Sequence, residues 1–83
     1  MLVRIYDNDS TWTKGKPEKV FKEFRNLITE MYNNEYDYYV EEKDYKNIER
    51  FDTLFDIVWS CSNFEDLLWY TEELENCGFF IEY

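Results

Sequence analysis

Acidic side chains recur at helical spacing in two segments of this chain. They are Glu49, Asp52 and Asp56 in the first segment and Glu65, Asp66, Glu72 and Glu73 in the second. Side chains three or four residues apart on a helix lie about 5–6 Å from one another, a distance comparable with the ~3.4 Å axial spacing of phosphates along a nucleic-acid strand. The spacing therefore predicts two rows of negative charge that would bind a cationic surface.

The second acidic segment also contains an aromatic residue in an unusual place. Residues 63–75, NFEDLLWYTEELE, include five carboxylates and a single tryptophan. At about 100° per residue, Phe64, Leu67 and Leu74 fall on one side of a helix and Trp69 falls almost opposite, among the acids. Exposed tryptophans often anchor protein interfaces. We therefore predict that Trp69 is an exposed, partner-binding side chain.

The side chains that most often catalyse reactions are scarce. The chain has no histidine, which removes the commonest general acid or base. Its only glycines are Gly15 and Gly78, so it has no glycine-rich phosphate loop. Paired carboxylates can hydrolyse glycosides, but a chain of 83 residues offers little cleft for a sugar. We expect a protein that is not an enzyme and that needs no cofactor.

One segment has part of the spacing of a calcium loop. Asp7, Asp9 and Thr11 alternate and Glu18 is the twelfth residue, as in an EF-hand. The sixth position of such a loop requires glycine for a sharp turn, and this chain has Trp12 there. The segment is better explained as a polar loop between a strand and a helix, and no metal site is predicted.

The sequence also predicts the elements that position the acidic residues. Residues 2–6 and 79–83 are rich in β-branched and aromatic residues and predict strands, and residues 36–40 predict a third. A first helix should begin at Pro17, after a polar loop that runs from residue 7 to residue 16. A second should extend from about Asp44 to Ser60.

A third helix should begin at a capping box formed by Ser62 and Glu65 and end at Gly78. The element order is then β-α-β-α-α-β. This order predicts a single α+β domain over residues 1–83, with a small three-stranded sheet covered by about three helices.

Aromatic residues interleave with the acids and would supply flat anchors in the same interface. The predicted partner-binding residues are Tyr36, Asp37, Tyr38, Tyr45, Glu49, Asp52, Asp56, Glu65, Asp66, Trp69, Glu72 and Glu73.

Negative charge is concentrated in the second part of the chain. Residues 1–34 contain six basic and five acidic residues, a net charge of +1, whereas residues 35–83 contain three basic and fourteen acidic residues, a net charge of −11. Such an excess repels nucleic acid and anionic lipid and attracts cationic proteins. The expected partner is a positively charged nucleic-acid-binding protein, and we expect no direct binding of nucleic acid or membrane.

Two cysteines, Cys61 and Cys77, do not form the framework of a secreted disulfide-rich protein. The sequence has neither the pattern of a signal peptide nor an apolar run of the ~20 residues that cross a bilayer. We expect free thiols, a cytoplasmic location, and a monomer or homodimer.

The chain resembles one class of proteins in its general character. It is short and strongly acidic, has many aromatic residues, lacks catalytic groups, and is rich in Asn, Lys, Tyr and Glu. These are the small acidic inhibitors of phages and mobile elements that mimic DNA, including anti-CRISPR and anti-restriction proteins. They share no motif, so the resemblance transfers no residue. It implies an inhibitor that blocks the nucleic-acid-binding site of a defence nuclease in the cytoplasm of a bacterial host.

A shorter segment has a second resemblance. Residues 51–56, FDTLFD, are similar to the D-x-L-x-D helix of barstar-type ribonuclease inhibitors, whose acids enter the nuclease active site. Asp52 and Asp56 are the matching positions. Barstar has a strand after this helix, whereas residues 60–62 here lead directly into the third predicted helix. A barstar-like antitoxin and a generic acidic interaction domain, whose charge serves only solubility, are the alternatives to a DNA mimic.

Overall fold

The computed structural model describes all 83 residues, which form a three-stranded antiparallel sheet with helices packed on one face. In chain order the elements are β1 (Val3–Tyr6), β2 (Thr11–Gly15), α1 (Pro17–Glu41), α2 (Tyr45–Ser60), α3 (Phe64–Leu67), a 3-10 turn (Leu68–Tyr70), α4 (Thr71–Asn76) and β3 (Phe80–Glu82). The strand order is β2-β1-β3, so β1 is the central strand. The predicted α+β class, with a three-stranded sheet covered by helices, is confirmed.

The central strand alternates between a buried and an open face. Val3 and Ile5 are buried under the helices, and Ile81 of β3 lies opposite Ile5 in the register. Arg4 and Tyr6 point to the open face, because successive side chains of a strand point to opposite sides. The helices therefore cover one side of the sheet only.

Fifteen buried residues from the sheet and the helices form one hydrophobic cluster. The first half of α1 contributes Val20, Phe21, Phe24 and Ile28, which confirms the predicted first helix. Phe79, just before β3, is fully buried, and its ring meets Phe24 edge-on with 5.3 Å between centroids. Its ring also lies 4.8 Å from that of Trp12 on β2. Phe79 thus joins the sheet to α1.

The segment Tyr36–Val40 is helical and belongs to α1, so the strand predicted there is wrong. Tyr32 and Tyr39 are about two helical turns apart and both face α2. The Tyr32 ring stacks on Phe55 with 4.3 Å between centroids, and the Tyr39 ring lies 5.3 Å from Phe51. Aromatic and β-branched content favours a strand locally, but packing against α2 outweighs this weak preference.

A strand, β2, occupies part of the segment predicted as a polar loop, so that prediction is wrong as well. A tight turn precedes it, in which Asp7 Oδ1 accepts hydrogen bonds from the backbone N–H groups of Asp9 and Ser10, both at 2.8 Å. The Trp12 indole N–H donates to Asp7 Oδ2 at 2.6 Å. The bond from Trp12, followed by the two backbone bonds, lowers the pKa of the Asp7 carboxyl from its ordinary value.

The third predicted helix is present but is divided into α3, the 3-10 turn and α4. Its predicted capping box of Ser62 with Glu65 is wrong by one residue. Asn63 is the N-cap and accepts from the Asp66 backbone N–H at 2.9 Å, while the Asp66 carboxylate accepts from the Ser62 N–H at 2.9 Å. Gly78 follows α4 with a φ of +92°, as predicted for a helix stop.

Lys43, in the short link between α1 and α2, is the only residue other than glycine with a positive φ, at +55°. Its N–H donates to Val40 O at 3.2 Å, and the Asp44 N–H donates to Tyr39 O at 3.0 Å, which closes the end of α1. A side chain is strained in this left-handed conformation, whereas glycine is not. The Lys43→Gly substitution is expected to raise the free energy of unfolding by about 1 kcal/mol and Tm by ~4–8 °C.

The matched control for this prediction is Lys43→Ala, which removes the same charge but keeps a Cβ atom. Thermal melts of both variants separate backbone strain from charge. Alanine should give no increase in Tm, and an equal increase for alanine and glycine would show that the gain came from removing the charge.

Candidate functional site

The candidate site is centred on the exposed side of α2. Glu49, Asp52 and Asp56 lie at three- and four-residue steps and are all exposed, as the sequence predicted. We call these three residues the acidic ridge. The opposite side of the helix buries Phe51, Leu54, Ile57 and Val58, which fixes the direction of the ridge. The Asp44 side chain caps α2 by accepting from the Asn47 N–H at 3.3 Å.

A shallow groove of about 520 Å³ lies along one flank of the acidic ridge. Its lining residues are Asp52, Thr53, Asp56, Ile57, Tyr70 and Glu73. The fold therefore brings Glu73 of α4 beside Asp52 and Asp56 of α2. Glu73 is 17 positions after Asp56 in the sequence. Three carboxylates that converge on one groove favour a cationic ligand.

Four aromatic side chains lie along the other flank of the acidic ridge, where α1 packs against α2. Tyr36 stacks on Tyr32 at 4.4 Å between centroids, Tyr32 on Phe55 at 4.3 Å, and Phe55 lies 6.3 Å from Trp59. We call these four residues the aromatic ladder. Trp59 is 53% exposed, and its indole N–H donates to Thr29 Oγ1 at 2.9 Å.

Sequence reasoning missed Tyr32, Phe55 and Trp59 as members of the candidate site. The signal was present, because Tyr32 and Tyr36, like Phe55 and Trp59, are four residues apart and share a helix face. The predicted strand at residues 36–40 concealed the pairing of Tyr36 with Tyr32, because it placed the two residues in different elements.

Tyr36 connects the aromatic ladder to the acidic ridge. Its hydroxyl donates to Asp52 Oδ2 at 3.4 Å. This hydrogen bond, desolvation and the neighbouring negative charge raise the pKa of the Tyr36 hydroxyl above its ordinary value of 10.0, so the group stays a neutral donor at physiological pH.

The other predicted aromatic anchors do not join this surface as one patch. In α1 Tyr36 and Tyr38 are about 200° apart and therefore lie on different faces of the helix. Tyr38 is 60% exposed and meets Tyr39 edge-on at 5.3 Å, and Asp37 is exposed beside it on α1. Tyr45 begins α2 and is 70% exposed.

The carboxylates of the second acidic segment are divided between different environments. Glu65 lines a separate groove of about 820 Å³ together with Lys22 and Arg25 of α1, away from the groove beside the acidic ridge. Asp66 is engaged in capping α3. Glu72 is exposed on α4, so of this group only Glu73 lines the groove with Asp52 and Asp56.

Trp69 lies in the 3-10 turn and is 84% exposed, which confirms that it points away from the core. Its indole ring stacks on no other ring and makes no side-chain hydrogen bond. The Trp69→Ala substitution is therefore expected to change the free energy of unfolding by less than about 0.5 kcal/mol. Thermal melts check this, and a drop in Tm of more than ~8 °C would show that the indole supports the fold.

The charges of the candidate site have no basic partners. The structure contains two ion pairs, Arg4 with Glu82 at 3.0 Å and Lys19 with Glu23 at 3.7 Å. Neither involves α2 or α4. The carboxylates of the acidic ridge and of α4 therefore face solvent uncompensated, and their mutual repulsion would fall when a cationic surface approaches.

Both cysteines are buried and free. Desolvation raises the pKa of the Cys61 and Cys77 thiols above their ordinary value of 9.0, which keeps them protonated and unreactive at neutral pH. No group of three or more His, Cys, Asp or Glu side chains is arranged to hold a metal ion.

Comparison with known proteins gives no match to a family profile, to a curated protein or to a solved structure. None of the helices combines the length and apolar character needed to cross a membrane. The geometry and charge of the surface around α2 are therefore the basis for a functional proposal.

Proposed function

We propose that this chain is a non-catalytic acidic inhibitor that occupies the nucleic-acid-binding site of a bacterial defence nuclease, either a CRISPR-Cas complex or a restriction enzyme, in place of DNA. The observation that supports this most directly is the uncompensated charge of the acidic ridge, Glu49, Asp52 and Asp56, with Glu73 on the adjoining groove. Folding gains nothing from grouping unpaired carboxylates, since self-repulsion opposes the compact state. A cationic partner gives this arrangement a function.

The spacing of these charges suits a protein surface that binds phosphates. The acidic ridge repeats its carboxylates at about 5–6 Å on a rigid helix, and nuclease channels hold phosphates with arginine and lysine side chains. Because α2 is packed against α1 and the core through residues 51–58, the helix backbone that carries its carboxylates is held in place before binding. Such rigidity lowers the entropy lost on binding.

Inhibition assays with purified Cas effector complexes and restriction enzymes test the proposal. The chain should inhibit cleavage at about one-to-one stoichiometry when added before target DNA, and excess duplex DNA should restore activity because the two compete for one site. Inhibition that DNA does not relieve, or no inhibition of any enzyme tested, would contradict mimicry.

The chain itself should not bind nucleic acid, because its net charge of −10 repels phosphate. Gel-shift assays with duplex DNA and with single-stranded RNA should show no shift. A clear shift at moderate salt would be incompatible with a DNA mimic.

A ribonuclease inhibitor of the barstar type is the second candidate. It is favoured by one observation, which is that Asp52 and Asp56 lie on one exposed face of α2 and line the same groove. Under this alternative the chain would inhibit a small basic ribonuclease and leave DNA-cleaving enzymes active. Running both classes of enzyme in the same assay therefore separates the two candidates.

A further inference from the structure

The aromatic ladder already holds one arginine of the chain itself. The guanidinium carbon of Arg25 lies 4.7 Å from the centroid of the Trp59 ring and 4.8 Å from that of Phe21. Both distances are within the range of attractive cation–π contacts. Arg25 makes no ion pair with a carboxylate. One guanidinium of the chain therefore already contacts a ring of the aromatic ladder.

We propose that the aromatic ladder and the acidic ridge together form a docking strip for arginine side chains of the partner protein, with a preference for arginine over lysine. This inference rests on the proposed function and specifies the chemistry of the partner surface. Tyr32, Tyr36 and Phe55 are partly exposed and Trp59 is 53% exposed, so solvent reaches the ladder along its length. Within the strip, Asp52 of the acidic ridge accepts a hydrogen bond from the Tyr36 hydroxyl of the aromatic ladder.

Arginine fits this strip better than lysine for two physical reasons. A guanidinium is planar and weakly hydrated, so it can lie against an aromatic ring at low desolvation cost, whereas an ammonium is compact and strongly hydrated. A guanidinium can also donate two parallel hydrogen bonds to one carboxylate while its face contacts a ring. The strip places rings and the carboxylates of Asp52 and Asp56 on adjoining sides of α2, so both kinds of contact are available to one side chain.

The test uses the full chain with two probes, an oligoarginine peptide and an oligolysine peptide of equal length. Binding is measured by calorimetry at the same ionic strength, and the readout is the ratio of the two dissociation constants. Each aromatic contact adds modestly to a charged interaction, so we expect oligoarginine to bind at least about fivefold more tightly. Carboxylates alone also bind arginine somewhat more tightly than lysine. Variants of the aromatic ladder are therefore needed to show whether its rings contribute to the preference.

Trp59→Leu removes the most exposed ring and should reduce the preference for arginine while leaving oligolysine affinity nearly unchanged. Tyr83→Leu is the matched control, since Tyr83 is an exposed aromatic residue outside the strip, 71% accessible, and its loss should leave the ratio unaltered. Arg25→Gln removes the internal guanidinium from the Trp59 ring and keeps the ladder, so it should raise the preference. This third variant decides the matter even where Trp59→Leu lowers stability.

The possible outcomes separate this inference from the proposed function. A ratio that stays the same in Arg25→Gln, or in a Trp59→Leu variant that remains folded, overturns the arginine strip and leaves the acidic inhibitor in place. Failure of both peptides to bind at low salt overturns both, because no cationic partner would then be recognised. A reduced ratio in Trp59→Leu with an increased ratio in Arg25→Gln supports the strip.

Discussion

Replacing Phe79 by alanine is expected to lower the free energy of unfolding by about 3–5 kcal/mol and to lower Tm by more than ~12 °C. Phe79 is fully buried, and its ring contacts Phe24 of α1 and Trp12 of β2 edge-on. The Arg50 guanidinium also lies 5.6 Å from its centroid and donates a hydrogen bond to Cys77 O at 2.8 Å. The cavity left by alanine would therefore open where three elements meet.

Phe80→Ala is the matched control, because it removes the same atoms from the next residue. Phe80 lies on the open face of the sheet, is only partly buried, and contacts Tyr6 at 5.5 Å between centroids. Its loss should cost about 1 kcal/mol. Chemical denaturation of both variants measures the difference, and equal losses would mean that the core is not organised around Phe79.

Replacing both Asp52 and Asp56 by lysine is expected to weaken binding to the target nuclease by at least about 30-fold. The two substitutions convert the centre of the acidic ridge from a surface that attracts the partner's cationic side chains to one that repels them. Association should become slower, and its dependence on salt should flatten, because long-range attraction accelerates encounter between opposite charges. Both side chains are exposed, so the variant should remain folded.

The control for this double variant is Asp9→Lys combined with Glu30→Lys, which changes net charge by the same amount. Asp9 lies in the turn after β1 and Glu30 on the side of α1 away from α2, and both are exposed. Association kinetics over a salt series compare the two variants. Equal weakening would show that overall charge, and not the α2 surface, drives binding.

The sequence predicted best those parts of the fold in which apolar residues recur at a constant helical spacing over several turns. Val20, Phe24 and Ile28 mark one face of α1, and Phe51, Leu54 and Val58 mark one face of α2. Each pattern continues for several turns, so a wrong assignment would expose many apolar side chains at once. The exposure of Trp69 followed from the same argument.

Short segments were predicted less well, because their state depends on partners distant in sequence. Residues 11–15 become a strand by pairing with β1, and residues 36–40 become helical by packing on α2. Local preference is worth only a fraction of a kcal/mol per residue, so a few tertiary contacts reverse it. The aromatic ladder was not predicted for the same reason, because Tyr36 stacks on Tyr32 only when α1 extends as far as Tyr36.

The strand order β2-β1-β3 has a consequence for synthesis of the chain. The central strand needs β3 as its second neighbour, and the ion pair that joins them links Arg4 to Glu82 across 78 residues. Contacts this distant along the chain form late, because a long loop must close first. The β1–β2 hairpin and both long helices precede Phe79 and β3 in the chain, so they are synthesised first. We expect the chain to stay open and sensitive to proteases until β3 pairs with β1, so the core beneath the acidic ridge closes only once β3 has been made.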